Sequence, residues 1–249
     1  MTEISLAAET IGHLGPLPVT NALLVSWIVT ACFVLAAFLI RARLHVIPGK
    51  VQSAVELIVE FLLSLMDSVT GSRRTSERVF PLVASLFLFI IALNWFGLFP
   101  GVGSIGIETI HGGREVFVPF FRGGNADLNS TLALALIAVF ATHFWGLREL
   151  GVVRHLGKFF NVRNPIAFFV GLLELVSEFA KIISFSFRLF GNIFAGEVLL
   201  IVVAALVPYG APLPFLGLEL FVGFIQALVF AVLTLVFLQI ASVAHDEGH

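Results

Sequence analysis

Residues 166–206 contain no proline and are apolar through most of their length. As one helix, this stretch of about 40 residues would extend about 60 Å at a rise of 1.5 Å per residue. That is twice the roughly 30 Å hydrocarbon thickness of a bilayer. Residues 215–244 form a second over-long apolar run, joined to the first by Pro-Tyr-Gly-Ala-Pro at 208–212, a turn signal. Over-long apolar helices tilt or kink, so the pair is expected to form a long, strongly tilted antiparallel hairpin. Three further runs, residues 22–40, 80–99 and 128–147, match the length of about 20 residues that a crossing needs. The composition agrees: 59% of the residues are hydrophobic and 12% charged, with mean hydropathy +1.05, whereas soluble domains are about half apolar and about one quarter charged. The expected fold is an all-α integral membrane protein, one membrane domain over residues 1–249 with five membrane-crossing helices.

Residues 51–67 differ from these runs. Gln52, Glu56, Glu60 and Ser64 recur every four residues, so one helical face is polar and the other apolar. This pattern predicts an interfacial amphipathic helix rather than a crossing. Residues 1–21 lack a basic leader and carry Glu3 and Glu9, which reads as a retained, exposed tail rather than a cleaved signal. The single cysteine, Cys32, excludes an internal disulfide or a cysteine-based metal cluster; its apolar surroundings read as a small packed hydrophobe.

Basic residues orient such a chain. Arg41, Arg43, Lys50, Arg73, Arg74 and Arg78 lie between the first two runs, and Arg148, Arg154, Lys158 and Arg163 follow the third. Only Arg114 and Arg122 lie in the loop between the second and third, and the hairpin turn has none. Alternation of sides then places the N-terminus outside and the acidic C-terminal tail inside.

The long runs carry charges that a bilayer opposes. Glu174, Glu178, Lys181, Arg188, Glu197 and Glu219 would each cost about 2.5–3.5 kcal/mol at the bilayer centre on insertion scales. Glu174, Glu178 and Lys181 stand at i, i+4 and i+7 near the inner end of their helix, where they can neutralise one another. Arg188 has no acid three or four residues away. At about 100° per residue, Lys181, Ser184, Gly191, Asn192 and Ala195 share its face, a set of small and polar groups that lets another helix come close. Glu197 falls at about 180°, on the opposite face. Glu219 begins near the outer side, and Gln226, on the same face, lies deeper. Polar groups thus approach Arg188 from both sides, as they would in an ion path built in two halves around a fixed cation. His143 suits an interhelical hydrogen bond or a proton relay, and Asn94, Asp127 and Asn129 suit either an outer entrance or ordinary helix ends. No phosphate-binding loop, HExxH or hydrolase triad is present, so no cofactor, metal, nucleic acid or catalytic centre is expected.

The motif "FRLFGNIFAGE" at 187–197 resembles the signature of the subunit a family of F-type ATP synthases. The resemblance extends to "LNWFGLFPG", "ADLNSTLALAL" and "IQALVFAVLTLVFL". It implies a non-catalytic stator subunit in a bacterial plasma membrane, partnered by a ring of c subunits, the peripheral-stalk b subunits and the rest of the complex. By the same resemblance, Arg188 faces the ring carboxylates and separates two offset half-channels that couple proton flow to ATP synthesis. Gln226 lies close to that arginine, Glu197 and Asn192 belong to the outer half-channel, and Glu174 and Ser184 belong to the inner one. Glu219 stands where some members have histidine, and which of Glu197 and Glu219 titrates stays open. A secondary ion transporter using intramembrane charges is the competing class; such folds show paired repeats and helices broken at mid-membrane, and no repeat is evident. An inert scaffold leaves Arg188 unexplained.

Overall fold

The computed structural model describes residues 8–111, 114–157 and 165–242. Five of its helices are long and apolar enough to cross a membrane: α1 (Asn21–Ala42), α3 (Arg73–Phe96), α4 (Leu128–Leu150), α6 (Pro165–Leu206) and α7 (Pro212–Ser242). The chain is an all-α membrane protein in its spanning part. α2 (Lys50–Thr70) is the strongly amphipathic helix among them, and α5 (Val152–Gly157) is a single short piece after α4. The acidic tail noted in the sequence lies outside the described residues, as do Glu3, Lys158 and Arg163.

Local chemistry sets the helix ends. Thr20 caps α1, its Oγ1 accepting from the Leu23 N–H at 3.2 Å, and Asp127 caps α4 by accepting from the Asn129 N–H at 3.3 Å. Such caps satisfy donors that a helix start leaves open. α2 stops at Gly71, whose φ of 69° is the left-handed conformation that glycine adopts without strain. α6 runs without a break for 42 residues. The turn to α7 passes through Gly210 at φ 82°.

The core lies where α3, α4, α6 and α7 meet. Ile90, Ala135, Ala138, Leu189, Ala227 and Phe230 are buried there, and Phe185 stacks on Phe230 at 4.8 Å between ring centroids. Alanines at three of these positions bring the backbones together, the usual basis of helix association in lipid. α1 packs through Val25 and Val29 and leaves Phe33, Leu35 and Phe38 exposed. Cys32 is on that exposed face, so the expectation of a packed cysteine is corrected. An apolar residue of a membrane helix faces lipid as readily as a neighbour, because lipid tails are as apolar as a core.

Two small hairpins were not expected. β1 (Thr10–Leu14) pairs with β2 (Leu17–Thr20) in the segment read as a plain tail, and β3 (Gly106–His111) pairs with β4 (Arg114–Pro119) before α4. The Asn21 Nδ2 group donates to the Pro119 carbonyl at 3.3 Å, tying the two regions together. These hairpins and the short 3-10 turn Gly124–Ala126 close one end of the helix bundle.

Candidate functional site

Arg188 sits near the middle of α6 with its side chain exposed. Its Nη2 donates to Ser184 Oγ at 3.2 Å, one turn earlier, and among the described residues no carboxylate pairs with it. Asn192, one turn later on the same face, donates to Gln226 Oε1 at 2.6 Å. Gln226 is buried, and its Nε2 finds no hydrogen-bond partner among the described residues. The glutamine thus reaches the arginine's face through Asn192, one turn away from the guanidinium. Ser184, Arg188 and Asn192 form a polar ridge along an otherwise apolar exposed side, where Phe179, Ile183 and Phe187 are also exposed.

On the Glu197 side of Arg188 the bundle contains a cavity of about 370 Å³. Among the described residues, its charged lining consists of Glu9, Arg122, Glu197 and Glu219. Arg122 is buried, and its Nε and Nη2 both lie 3.4 Å from Glu197 Oε2. The guanidinium also stands 5.9 Å from the Phe194 ring centroid. Glu219, from α7, is 8% exposed, and its carboxylate lies directly against Gly196, where a Cβ would collide with it. The glycine before Glu197 is therefore what lets the two helices bring their acids into one space. Asn94 braces the same region: its Nδ2 donates to the Gly223 carbonyl at 2.8 Å and its Oδ1 accepts from Asn125 at 2.7 Å. Asp127 caps its helix instead of lining the cavity, and Asn129 is exposed.

On the other side of Arg188 the polar groups are packed against one another. Glu178 accepts from Lys181 at 2.6 Å and lies 3.4 Å from His143 Nε2. His143 Nδ1 is 3.2 Å from His155 Nε2, and Lys181 Nζ also stands 4.7 Å over the Phe237 ring. His155, buried on α5, packs so closely on Gly146 that a Cβ there would approach its ring Cε1 to 2.6 Å. Glu174 is half-buried one turn earlier and is not part of this cluster. The structure thus brings together Glu178, Lys181 and His143, and separately Glu197 and Glu219.

Arg122, Asn125 and His155 were not singled out by the sequence. Arg122 was read only as one of two basic residues in a loop; its partner is 75 positions away, and nothing in local spacing indicates the pairing. A basic residue in the glycine-flanked apolar stretch "VPFFRGG" was the available signal.

A bundle of five membrane-length helices with Arg188 standing between two clusters of ionisable side chains defines a multi-pass membrane protein of the ion-conducting class. The family described as ATP synthase A chain matches residues 23–239, and the chain belongs to that family. It is 34% identical over 216 residues to ATP synthase subunit a of Campylobacter jejuni, covering 87% of each chain. It is 31% identical over 237 residues to ATP synthase subunit a of Moorella thermoacetica, covering 95% of each. With the subunit of the same name from Desulforamulus reducens it shares 32% over 238 residues, 92% of this chain and 81% of the relative.

Proposed function

We propose that this chain is the proton-translocating stator of the membrane sector of a bacterial ATP synthase, without catalysis of its own. It works beside a rotating ring of c subunits, with the b subunits and the remaining complex as further partners. The observation that carries this reading is Arg188: a guanidinium exposed at mid-helix, bonded only to Ser184 and with no paired carboxylate among the described residues. A charge left open there suits a partner carboxylate from another chain. An ionised ring carboxylate is expensive in a bilayer, and a fixed cation beside it offsets part of that cost.

The cavity with Glu197 and Glu219 then serves as the outer half-channel, and the side of Glu174, Glu178, Lys181 and His143 as the inner one. Arg188 stands between them and repels a proton that would cross directly, so the ring must turn for a proton to pass. Asn192 and Gln226 order the ridge on which the arginine stands. Lysine is a poor replacement, because a buried ammonium can lose its proton whereas a guanidinium keeps its charge.

The test is ATP-driven proton uptake by inverted membrane vesicles, with co-purification of ring and soluble ATPase checked in parallel. Arg188→Ala abolishes uptake in an assembled complex, and Arg188→Lys retains about a tenth or less. An assembled Arg188→Ala complex that pumps normally would overturn the reading. Orientation is tested separately. In a Cys32→Ser background, Leu17→Cys at the tip of the first hairpin reacts with a membrane-impermeant thiol reagent added to intact cells. Reaction only from the cytoplasmic face reverses the proposed topology of N-terminus outside and C-terminus inside.

A further inference from the structure

Ser186 lies on the face of α6 that turns away from Arg188. At about 100° per residue the two stand about 200° apart, and Ser186 is fully buried while Arg188 is exposed. Phe185, Leu189 and Ile193 are buried on the same side as Ser186. Ser186 Oγ stands 3.2 Å from Thr131 Oγ1 of α4, which is also fully buried. Thr131 Oγ1 donates in turn to the Leu128 carbonyl at 3.1 Å. Each hydroxyl carries one proton, so Ser186 is the donor to Thr131, and the chain ends at Leu128 in the first turn of α4. Other hydroxyls of the spanning helices are satisfied more simply. Thr142, Thr234 and Ser242 each donate to the carbonyl four residues earlier on their own helix. A buried hydroxyl therefore needs no second helix, and the bond from Ser186 to Thr131 calls for a further reason.

We infer that Thr131 and Ser186 are a positioning pair that fixes the rotation of α6 about its own axis and so holds Arg188 toward the ring. This assignment rests on the function proposed above. Apolar contacts do little to fix such a rotation, because lipid tails are as apolar as the side chains they would replace. The stack of Phe185 on Phe230 at 4.8 Å ties the preceding residue to α7, but offset stacking is satisfied over a range of ring positions. A hydrogen bond is short and directional. A helix with its side chains has a radius of about 5–6 Å, so a roll of about 20° carries the tip of a long side chain roughly 2 Å sideways. The same roll moves a hydroxyl, nearer the axis, by about 1 Å. That shift takes the 3.2 Å contact beyond bonding distance. The pair thus opposes the motion that would misalign the guanidinium, whose effect on a ring carboxylate acts over a short range.

The test measures proton uptake per ATP hydrolysed in inverted vesicles that hold equal amounts of assembled complex. Thr131→Val keeps the branched shape and removes the hydroxyl; Ser186→Ala removes the donor. Each is expected to lower the ratio about threefold, through misplacement of the reacting groups. Thr131→Val/Ser186→Ala lowers it no further than the worse single variant, because both residues act through one bond. Thr131→Ser keeps the hydroxyl and retains the parent ratio. A merely structural pair would lower the yield or heat stability of the complex and leave the ratio of the assembled fraction unchanged. That outcome overturns the assignment, and so do losses that multiply in the double variant. If Thr131→Val does not assemble, Ser186→Ala decides, since alanine is smaller and favours a helix; an unchanged ratio there overturns the assignment. Failure of the assignment is distinguishable from failure of the proposed function, because Arg188→Ala still blocks uptake in the first case and pumps in the second.

Discussion

On the Glu197 side of Arg188 the long helix faces a cavity; on the Glu178 side it faces a histidine pair from α4 and α5. Both sides place a glutamate of α6 in the bundle, but the cavity side leaves Glu219 without a donor among the described residues. On the other side Glu178 is held by Lys181 at 2.6 Å and lies 3.4 Å from His143, and His143 stands 3.2 Å from His155. A group that must change charge needs room, water and no permanent partner. A network of mutually paired groups resists change, because removing one member leaves another unmatched away from water. The contrast teaches that a count of charged residues on α6 says little about which of them can move a proton. What surrounds each one decides it.

The contrast breaks most severely at Gly196. In Gly196→Val the new side chain occupies the place of the Glu219 carboxylate, so the acid must leave its position. Proton uptake is expected to fall about tenfold or more in an assembled complex. The same substitution in a Glu219→Ala background costs little further, because contacting residues are non-additive. A full additional loss in that background would mean that Gly196 matters through helix packing rather than through the acid.

Lys181→Met tests the other side. It removes the cation at 2.6 Å from Glu178 and leaves His143 as the remaining partner there. The expected loss of uptake is smaller, roughly threefold, with a destabilisation of about 1–3 kcal/mol from the half-buried acid. Heat inactivation of uptake measures the second quantity. Glu178→Gln added to Lys181→Met recovers part of that stability. If Lys181→Met is as damaging as Gly196→Val, the distinction between a working acid and a paired one fails.

The two sides were not equally legible in the sequence. The unbroken apolar length of α6 and the five runs were open to a reading of period and length, because a bilayer imposes both. Arg188 stood out because no acid lies a turn away, and the observed Ser184 bond is of that local, one-turn kind. Arg122 and His155 are different: each acts across 75 and 12 positions respectively, from a loop and from a six-residue helix, and no periodicity carries such a contact. Cys32 was misjudged because an apolar run does not say which of its faces meets protein. The β3–β4 hairpin did have a signal, in "GIETIH" and "REVFVP" around two glycines, the alternation and turn chemistry of a hairpin. A search for helical spans passes over it.

A third set of charges, on α2 and the first turns of α3, sharpens the comparison, with the smallest expected effect. Arg73 at the start of α3 holds three acids: Glu60 at 2.9 Å and Asp67 at 3.0 Å, both on α2, and Glu77 at 3.2 Å on its own helix. The hydrogen bond and charge of Arg73 hold the Glu60 carboxyl below the usual carboxylate range. A lowered value in the folded protein means that the contribution is present above the ordinary glutamate value of about 4.3. It is lost as pH falls through the lower folded value. Glu60 is exposed, so water and salt screen the pair. Glu60→Gln is therefore expected to leave proton uptake unchanged and to raise hydrogen exchange of the α2 amides only slightly at pH 7. Corrected for intrinsic exchange rates, the difference from the parent should shrink as pH drops below the carboxylate range. It should also vanish at about 1 M salt, where screening acts within roughly 3 Å. A difference that grows toward low pH, or that survives high salt, would show that α2 is held to α3 by something other than this pair. The exposed network would then have to be grouped with the buried one around Glu178.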